Sequence, residues 1–429
     1  MEIEISEEDS KYMYDFIEKI IHECGPRMPC STQEQKSAQM IKQEFEDLCE
    51  DSQIEVFTCH PRAFLGFIKI IVFLALLSFL LFFLSIQENL DLMGQILIIS
   101  SFSLIIIADL ILWNEFFNYR EFIDPLFKKK NSQNVIGKFN AKQETENLLI
   151  FSGHHDSALE FNLLKHLKIG YVFLILIGLL VLFAWSILLF VILILSLIGF
   201  LIPSILYIIS LVILIISIPS FIGMLFFVSP GENANKVPGA VDNLSAVAIL
   251  IGIGRYLKQN QKFIPPNTEI RLISFGCEEA GLRGSRRYVE AHLDELKSKN
   301  SECVNMDAIQ ALNNVTLVDY EPSTRTRHSQ YVINKLKESA SLSGEKVHHS
   351  SLGGGKGLSK LFGQISGGTD ATSFSKAQIN SANISAMDLW EMIKFYHQST
   401  DTTDKIQKGA LEKVLRICLT YIKIENLKK

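Results

Sequence analysis

Asn147–Asp156, NLLIFSGHHD, is the stretch whose reading decides the fold. The apolar run Leu148–Phe151, closed by Ser152 and Gly153, predicts a strand buried on both faces. Such strands belong to parallel sheets covered by helices. Two histidines and an aspartate lie directly beyond its carboxyl end. In open α/β sheets, sites form at that edge. The arrangement recurs down the chain: Glu278 and Glu279 follow IRLISFG, Asp307 follows ECVNM, and His397 lies past the last strand-like run. Endings of this kind, repeated on one sheet edge, predict a single site.

Working outward, helical spacing is expected over Asp9–Glu23 and Gln33–Leu48, with Ser31 and Glu34 as a capping box for the second helix. Gln53–Cys59 and Asn134–Phe139 read as strands. A helix follows over Leu244–Lys258, opened by Asp242 and Asn243. Then come strand Glu269–Phe275, a helix near Arg286–Lys297, strands Cys303–Asn305 and Val315–Asp319, helix Gln330–Ser341, strand Asn383–Met387 and a closing helix over Gln407–Ile424. Strands alternating with helices predict an α/β fold, a mostly parallel sheet sandwiched by helices.

Long apolar blocks interrupt this pattern. Ile70–Ile86 reads IIVFLALLSFLLFFLSI, Leu92–Trp113 is nearly as apolar, and Ile169–Val228 carries no charge. A spanning helix needs roughly 20 apolar residues, so each of the first two blocks is long enough for one crossing. Parity decides the third. His154-His155-Asp156-Ser157 precedes it and Gly239–Asn243 follows it, and both must lie on one side of a bilayer to share a site. Two crossings satisfy this, with a turn near Gly199–Pro203. The same logic makes 64–113 a hairpin turning at Gln87–Asp91.

The expected organisation is therefore 1–63 as the N-terminal part of the soluble domain, 64–113 as transmembrane hairpin 1, 114–168 as soluble domain with the first metal motif, 169–228 as transmembrane hairpin 2, and 229–429 as soluble domain with the remaining motifs. Arg62, Arg120, Lys128, Lys129, Lys130, Lys165, Lys168 and Lys236 flank the soluble side, whereas the opposite turns carry only Glu88 and Asp91. The positive-inside rule then predicts a cytoplasmic soluble domain on four crossings. Lys69 and Asp109, near one end of the first hairpin, are expected to snorkel or to pair with each other.

Bulk composition narrows the function. The 429 residues carry a formal charge of −5, which gives no sign of nucleic-acid binding. Gly353–Gly357, GGGKG, lacks the spacing and the following Ser or Thr of a phosphate-binding loop, so no nucleotide is expected. The acidic start MEIEISEEDS does not read as a signal peptide. Seven cysteines, odd in number and without paired metal-ligand spacing, argue against a disulfide framework and fit a reducing compartment.

Six motifs carry the chemistry: His154–Ser157, Gly239–Asn243, Glu278–Leu282, Asn305–Asp307, Gly368–Asp370 and Tyr396–His397. Histidine and carboxylate are the ligands that zinc accepts. Two ions close together can polarise a carbonyl and lower the pKa of a bridging water. An adjacent carboxylate that is not a ligand must then move the proton.

This set resembles the co-catalytic di-zinc exopeptidase family of secreted bacterial leucine aminopeptidases, glutamate carboxypeptidases and glutaminyl cyclases. The resemblance covers roughly residues 10–60 and 130–424. The stretch CGPRMPCSTQEQ is similar to the family's opening helix pair, with Cys30 where a glycine is usual. Ala246 likewise stands for a common glycine. The resemblance implies two Zn2+ ions: His154 and Asp307 on one, Glu279 and His397 on the other, and Asp242 bridging them. It implies that Asp156 orients the His154 ring, that the Asp242–Asn243 peptide is cis and that the substrate is a peptide. Glu278 is the expected general base, and Tyr396 a donor to the developing oxyanion.

Other polar residues are expected in humbler places. His155 is a packing or rim residue, His348 and His349 lie on the surface, Asp370 supports the site, and Asp401 braces the His397 loop. The leading expectation is an aminopeptidase anchored in a lipid bilayer. A glutaminyl-cyclase-like acyltransferase, a carboxypeptidase and a non-catalytic membrane scaffold remain alternatives.

Overall fold

The apolar runs form ten strands among the residues described by a computed structural model, which are 3–86, 92–354, 363 and 366–427. In chain order these are β1 (Asp51–Cys59), β2 (Lys130–Phe139), β3 (Asn147–His154), β4 (Thr268–Phe275), β5 (Asn300–Ile309), β6 (Val315–Val318), β7 (Tyr320–Glu321), β8 (Thr326–Arg327), β9 (His348–Ser350) and β10 (Asn380–Ala386). Eight strands make one sheet in the order β1-β2-β4-β3-β5-β10-β6-β9, while β7 and β8 pair separately. The centre, β4-β3-β5-β10, is parallel. Antiparallel pairings appear at β1-β2, β2-β4 and β6-β10, so the sheet is mixed but mostly parallel.

Register sets the site. His154 pairs with Phe275 of β4, and Ser152 with Asn305 of β5, which brings three carboxyl ends to one edge. One sheet face is packed by Leu148, Ile150, Ile273, Phe275, Tyr288 and Phe374. Helix Ser245–Gln259 packs against β3 and is almost wholly buried. A Cβ added at Gly153 would lie 2.5 Å from the Ala246 Cβ. The close approach of helix to strand is thus kept by Gly153, which explains why the helix tolerates alanine at 246.

Two local expectations change. The segment Arg286–Lys297 is two helices, Arg283–Ala291 and Leu293–Ser298, broken at His292, whose Nε2 lies 2.9 Å from Glu55. Ser31 does cap helix Thr32–Leu48 through the Glu34 N–H, but the box is not closed. The Glu34 carboxylate accepts from the N–H of Cys30 and Cys277 and from the Ser132 hydroxyl instead, because it is fully buried against them. A reciprocal capping box forms where none was read, at Ser6 and Asp9.

The chain separates into two compact units. The first, Met1–Pro61, Lys128–Glu160 and Pro230–Lys429, contains the sheet. The second, Arg62–Phe127 and Phe161–Ser229, contains helices Ala63–Ser85, Leu92–Glu115, Gly170–Leu197 and Ser204–Leu225. Residues 114–127 and 161–168, read from sequence as soluble domain, fall in this second unit, where Tyr119 packs its ring on Phe64. Within it, Trp185 stacks on Phe79 at 4.0 Å and donates to Ser78. Ser78 and Ser101 bond each other, and Asp109 accepts from Ser186 at 2.6 Å. Trp185, Ser78, Ser101 and one Asp109 oxygen thus find their partners on neighbouring helices. The turn expected at Gln87–Asp91 and the stretch Gly355–Gly357 lie outside the described residues.

Among the described residues, five helices are long and apolar enough to cross a membrane. Ala240–Gln259 differs from the other four: its apolar window is 89% buried inside the protein, against 22–39% for theirs.

Candidate active site

Five chain segments, one of them the loop that carries His397, converge at the carboxyl edge of the parallel strands. His154 ends β3, and Glu278 and Glu279 follow β4. Asp307 lies in β5, and Asp242 precedes helix Ser245–Gln259. The His154 Nε2 lies 3.2 Å from Asp242 Oδ1 and 3.8 Å from Glu278 Oε2. The His397 Nε2 lies 3.2 Å from Asp242 Oδ2 and 3.4 Å from Glu279 Oε1. Each carboxylate oxygen of Asp242 therefore faces a different imidazole. Two donor groups, His154–Asp242–Glu279 and His154–Glu278–Asp307, have ligand atoms within 4.8 Å of one another.

The electrostatics fit cations. Four carboxylates and two imidazoles are gathered with little solvent. Burial pushes Glu278, Glu279 and Asp307 well above the ordinary carboxylate range, and like charges add to it. Glu279 Oε1 is buried without a hydrogen-bond partner and faces the cluster. Such a set is costly unless positive charge compensates it, and His plus carboxylate is the donor chemistry of zinc.

The supporting residues are only partly those expected. Asp156 meets the His154 Nδ1 mainly through its backbone carbonyl, at 3.2 Å, with the carboxylate at 3.5 Å. Its two carboxylate oxygens accept instead from the Glu278 and Glu279 N–H groups, at 3.1 and 3.0 Å. Asp156 thus anchors the paired-glutamate loop as well as the ring. Asp401 does not brace the His397 loop through its side chain. Its carboxylate accepts from the Val241 and Asp242 N–H groups, at 2.8 and 3.2 Å, and so positions Asp242.

Asn243 donates to the Met306 carbonyl and accepts from the Ala308 N–H, which clamps the chain on either side of Asp307. The Asp242–Asn243 peptide is cis. Tyr396 stacks on His397 with ring centroids 3.9 Å apart. Asp370 is fully buried within electrostatic range of His154. His155 packs inside rather than at a rim: it is fully buried, bonds Ser274, and burial lowers its pKa to about 4. His348 and His349 are exposed on β9.

Arg27 escaped the sequence reading. It is fully buried and donates to the carbonyls of His155, Pro238, Gly239 and Gly25, at 2.8, 2.7, 3.3 and 3.0 Å. It ties the chain beside His154 to the chain leading into Asp242. A Cβ at Gly239 would lie 2.9 Å from this guanidinium, and Gly239 has φ +63°, so glycine is needed there. The only signal was its place in CGPRMPC, which says nothing of burial. Arg27→Met leaves buried carbonyls unpaired and should lower unfolding free energy by about 3 kcal/mol, read from denaturant midpoints. Asp156→Asn, which weakens acceptance from the glutamate loop, should reduce metal affinity by roughly 10–100-fold, read by competition with a chelator.

The parallel sheet and this donor cluster define the class, an α/β domain with the fold of zinc aminopeptidases. Residues 227–422 match the model of Peptidase family M28. The chain is 33% identical over 188 residues to Aminopeptidase YwaD of Bacillus subtilis (strain 168), which covers 41% of this chain and 35% of that protein. The chain therefore spans about a third of that relative's length. Among solved structures, the aminopeptidase of Aneurinibacillus sp. strain AM-1 superposes with TM-score 0.52 at 15% identity, covering 96% of this chain and 93% of that one. A glutaminyl cyclase from an Acidobacteriales bacterium gives TM-score 0.55 at 14% identity, covering 100% and 98%. At such identities these structures are alike in fold alone.

Proposed function

We propose that this protein is a membrane-anchored, zinc-dependent aminopeptidase that hydrolyses N-terminal peptide bonds. The observation that carries the reading is Asp242, whose two oxygens each sit 3.2 Å from a different histidine Nε2. His154 and Asp307 would hold one zinc ion and Glu279 and His397 the other, with the Asp242 carboxylate available to both. The bound pair supplies Lewis acidity to the scissile carbonyl and to the attacking water.

The chain's own groups do the rest. Glu278, next to Glu279 in sequence and 3.8 Å from the His154 Nε2, takes the proton from water and returns it to the leaving amine. Asp156 holds both glutamates in place by accepting their backbone N–H groups. Tyr396, fixed by its stack on His397, donates to the developing oxyanion.

Helices Ala63–Ser85, Leu92–Glu115, Gly170–Leu197 and Ser204–Leu225 form four crossings in two hairpins, and the peptidase unit faces the cytoplasm. Their apolar windows are mostly exposed, which suits contact with lipid. In intact cells the peptidase unit should resist added protease, and its digestion would reverse the orientation.

The primary test is release of chromophore from leucyl-p-nitroanilide by detergent-purified protein, with zinc and after chelation. Metal-dependent turnover supports the aminopeptidase. A zinc-loaded protein inert on this substrate but active on C-terminal peptide bonds or on N-terminal glutamine would instead be a carboxypeptidase or a cyclase. Inertness on all three leaves the scaffold.

A further inference from the structure

We propose that Cys30, Cys59 and Cys277 form a second metal site, a three-thiolate seat for a thiophilic d10 ion such as Zn2+ or Cu+, independent of the peptidase reading. The three residues come from separate places: the turn before helix Thr32–Leu48, the end of β1, and the residue two after the end of β4. Their Sγ atoms lie 3.4 Å (Cys30–Cys59), 3.4 Å (Cys30–Cys277) and 3.6 Å (Cys59–Cys277) apart. Sulfurs sharing a zinc at ~2.3 Å in tetrahedral geometry would be about 3.8 Å apart. The observed triangle is close to that and nearly equilateral. A disulfide would pair two sulfurs and leave the third aside, and all three are free thiols.

The surroundings are built rather than incidental. Cys59 and Cys277 are buried, and Cys30 is partly exposed, which provides an entry path. Glu34 accepts from the backbone N–H of both Cys30 and Cys277, at 2.8 and 3.0 Å, so one buried carboxylate sets two of the three ligands. Cys30 and Cys277 have φ of +59° and +55°, a left-handed conformation that suits glycine and not cysteine. Non-glycine residues kept there mark positions held by a local requirement. Arg283 and Arg287 lie within electrostatic range of Cys59 and offset the excess charge of three thiolates. Soft thiolate donors select this class of ion over the hard cations.

Position gives the site a purpose. Cys277 directly precedes Glu278, so an ion here pins the paired-glutamate loop to β1 and to the opening helix pair. It acts from behind the loop without touching substrate.

The test is Cd2+ titration of the reduced, full-length protein in detergent, followed by the sulfur-to-cadmium charge-transfer absorption. The His154–Asp242 cluster contains no sulfur and is silent in this measurement. One equivalent should saturate the band, and Cys59→Ser or Cys30→Ser should abolish it, while Cys49→Ser, outside the triangle, retains it. If Cys59→Ser fails to fold, the partly exposed Cys30 carries the test. Competition by Zn2+ or by Cu+ distinguishes the two ions, and either supports the site. A wild-type protein with all seven thiols titratable after unfolding but no band overturns the proposal. So does a band that survives Cys30→Ser, and so does a thiol count lowered by two, which reveals a disulfide.

Discussion

Glu278→Gln is expected to lower turnover of leucyl-p-nitroanilide by roughly 10²–10⁴-fold, the usual worth of a positioned general base, with zinc content unchanged. Glutamine keeps the size and hydrogen-bonding reach of the side chain but cannot accept the proton. The loop should not move, because it is held from its backbone: Asp156 accepts from the N–H of residues 278 and 279 whatever the side chain at 278. Metal analysis and thermal unfolding beside the kinetics separate loss of the base from loss of the site. A variant within twofold of the parent would place the base elsewhere.

Asp242→Ala is expected to do more, abolishing measurable turnover and emptying both metal positions together. One carboxylate serves two histidines at 3.2 Å each, so its removal deprives both positions of an anionic ligand. The fall in metal affinity should exceed the roughly 10–100-fold that loss of an outer partner costs. Asp401→Asn supplies that comparison, since Asp401 only positions Asp242 through the Val241 and Asp242 N–H groups. Zinc stoichiometry by elemental analysis checks both. If Asp242→Ala still holds two ions, the bridging assignment is wrong.

Much of the fold was legible because its strands are short apolar runs ending in glycine, serine or acids, as in LLIFSG before His154. Helix Ser245–Gln259 shows the limit of hydropathy. Together with the turn before it, as Ala240–Gln259, it is long and apolar enough to cross a bilayer, yet it is enclosed by its own domain, and composition does not tell lipid from protein neighbours. Helix Arg286–Lys297 was read as unbroken because the contact that interrupts it, His292 to Glu55, joins residues far apart in the chain.

By itself the sequence pointed to the histidines and carboxylates that the fold gathers. Histidines and carboxylates are among the side chains that zinc accepts, and residues at strand carboxyl ends share an edge once the strands are parallel. Only the tertiary structure decided how those side chains are held. Arg27, Glu34 and Asp401 act through backbone groups on distant segments, and a backbone acceptor leaves no trace in the residue type it belongs to. The cysteines make the same point. Their spacing showed no ligand motif, yet the fold closes Cys30, Cys59 and Cys277 into a triangle of 3.4–3.6 Å, because sheet register and the packing of the opening helices, not chain distance, set which sulfurs meet.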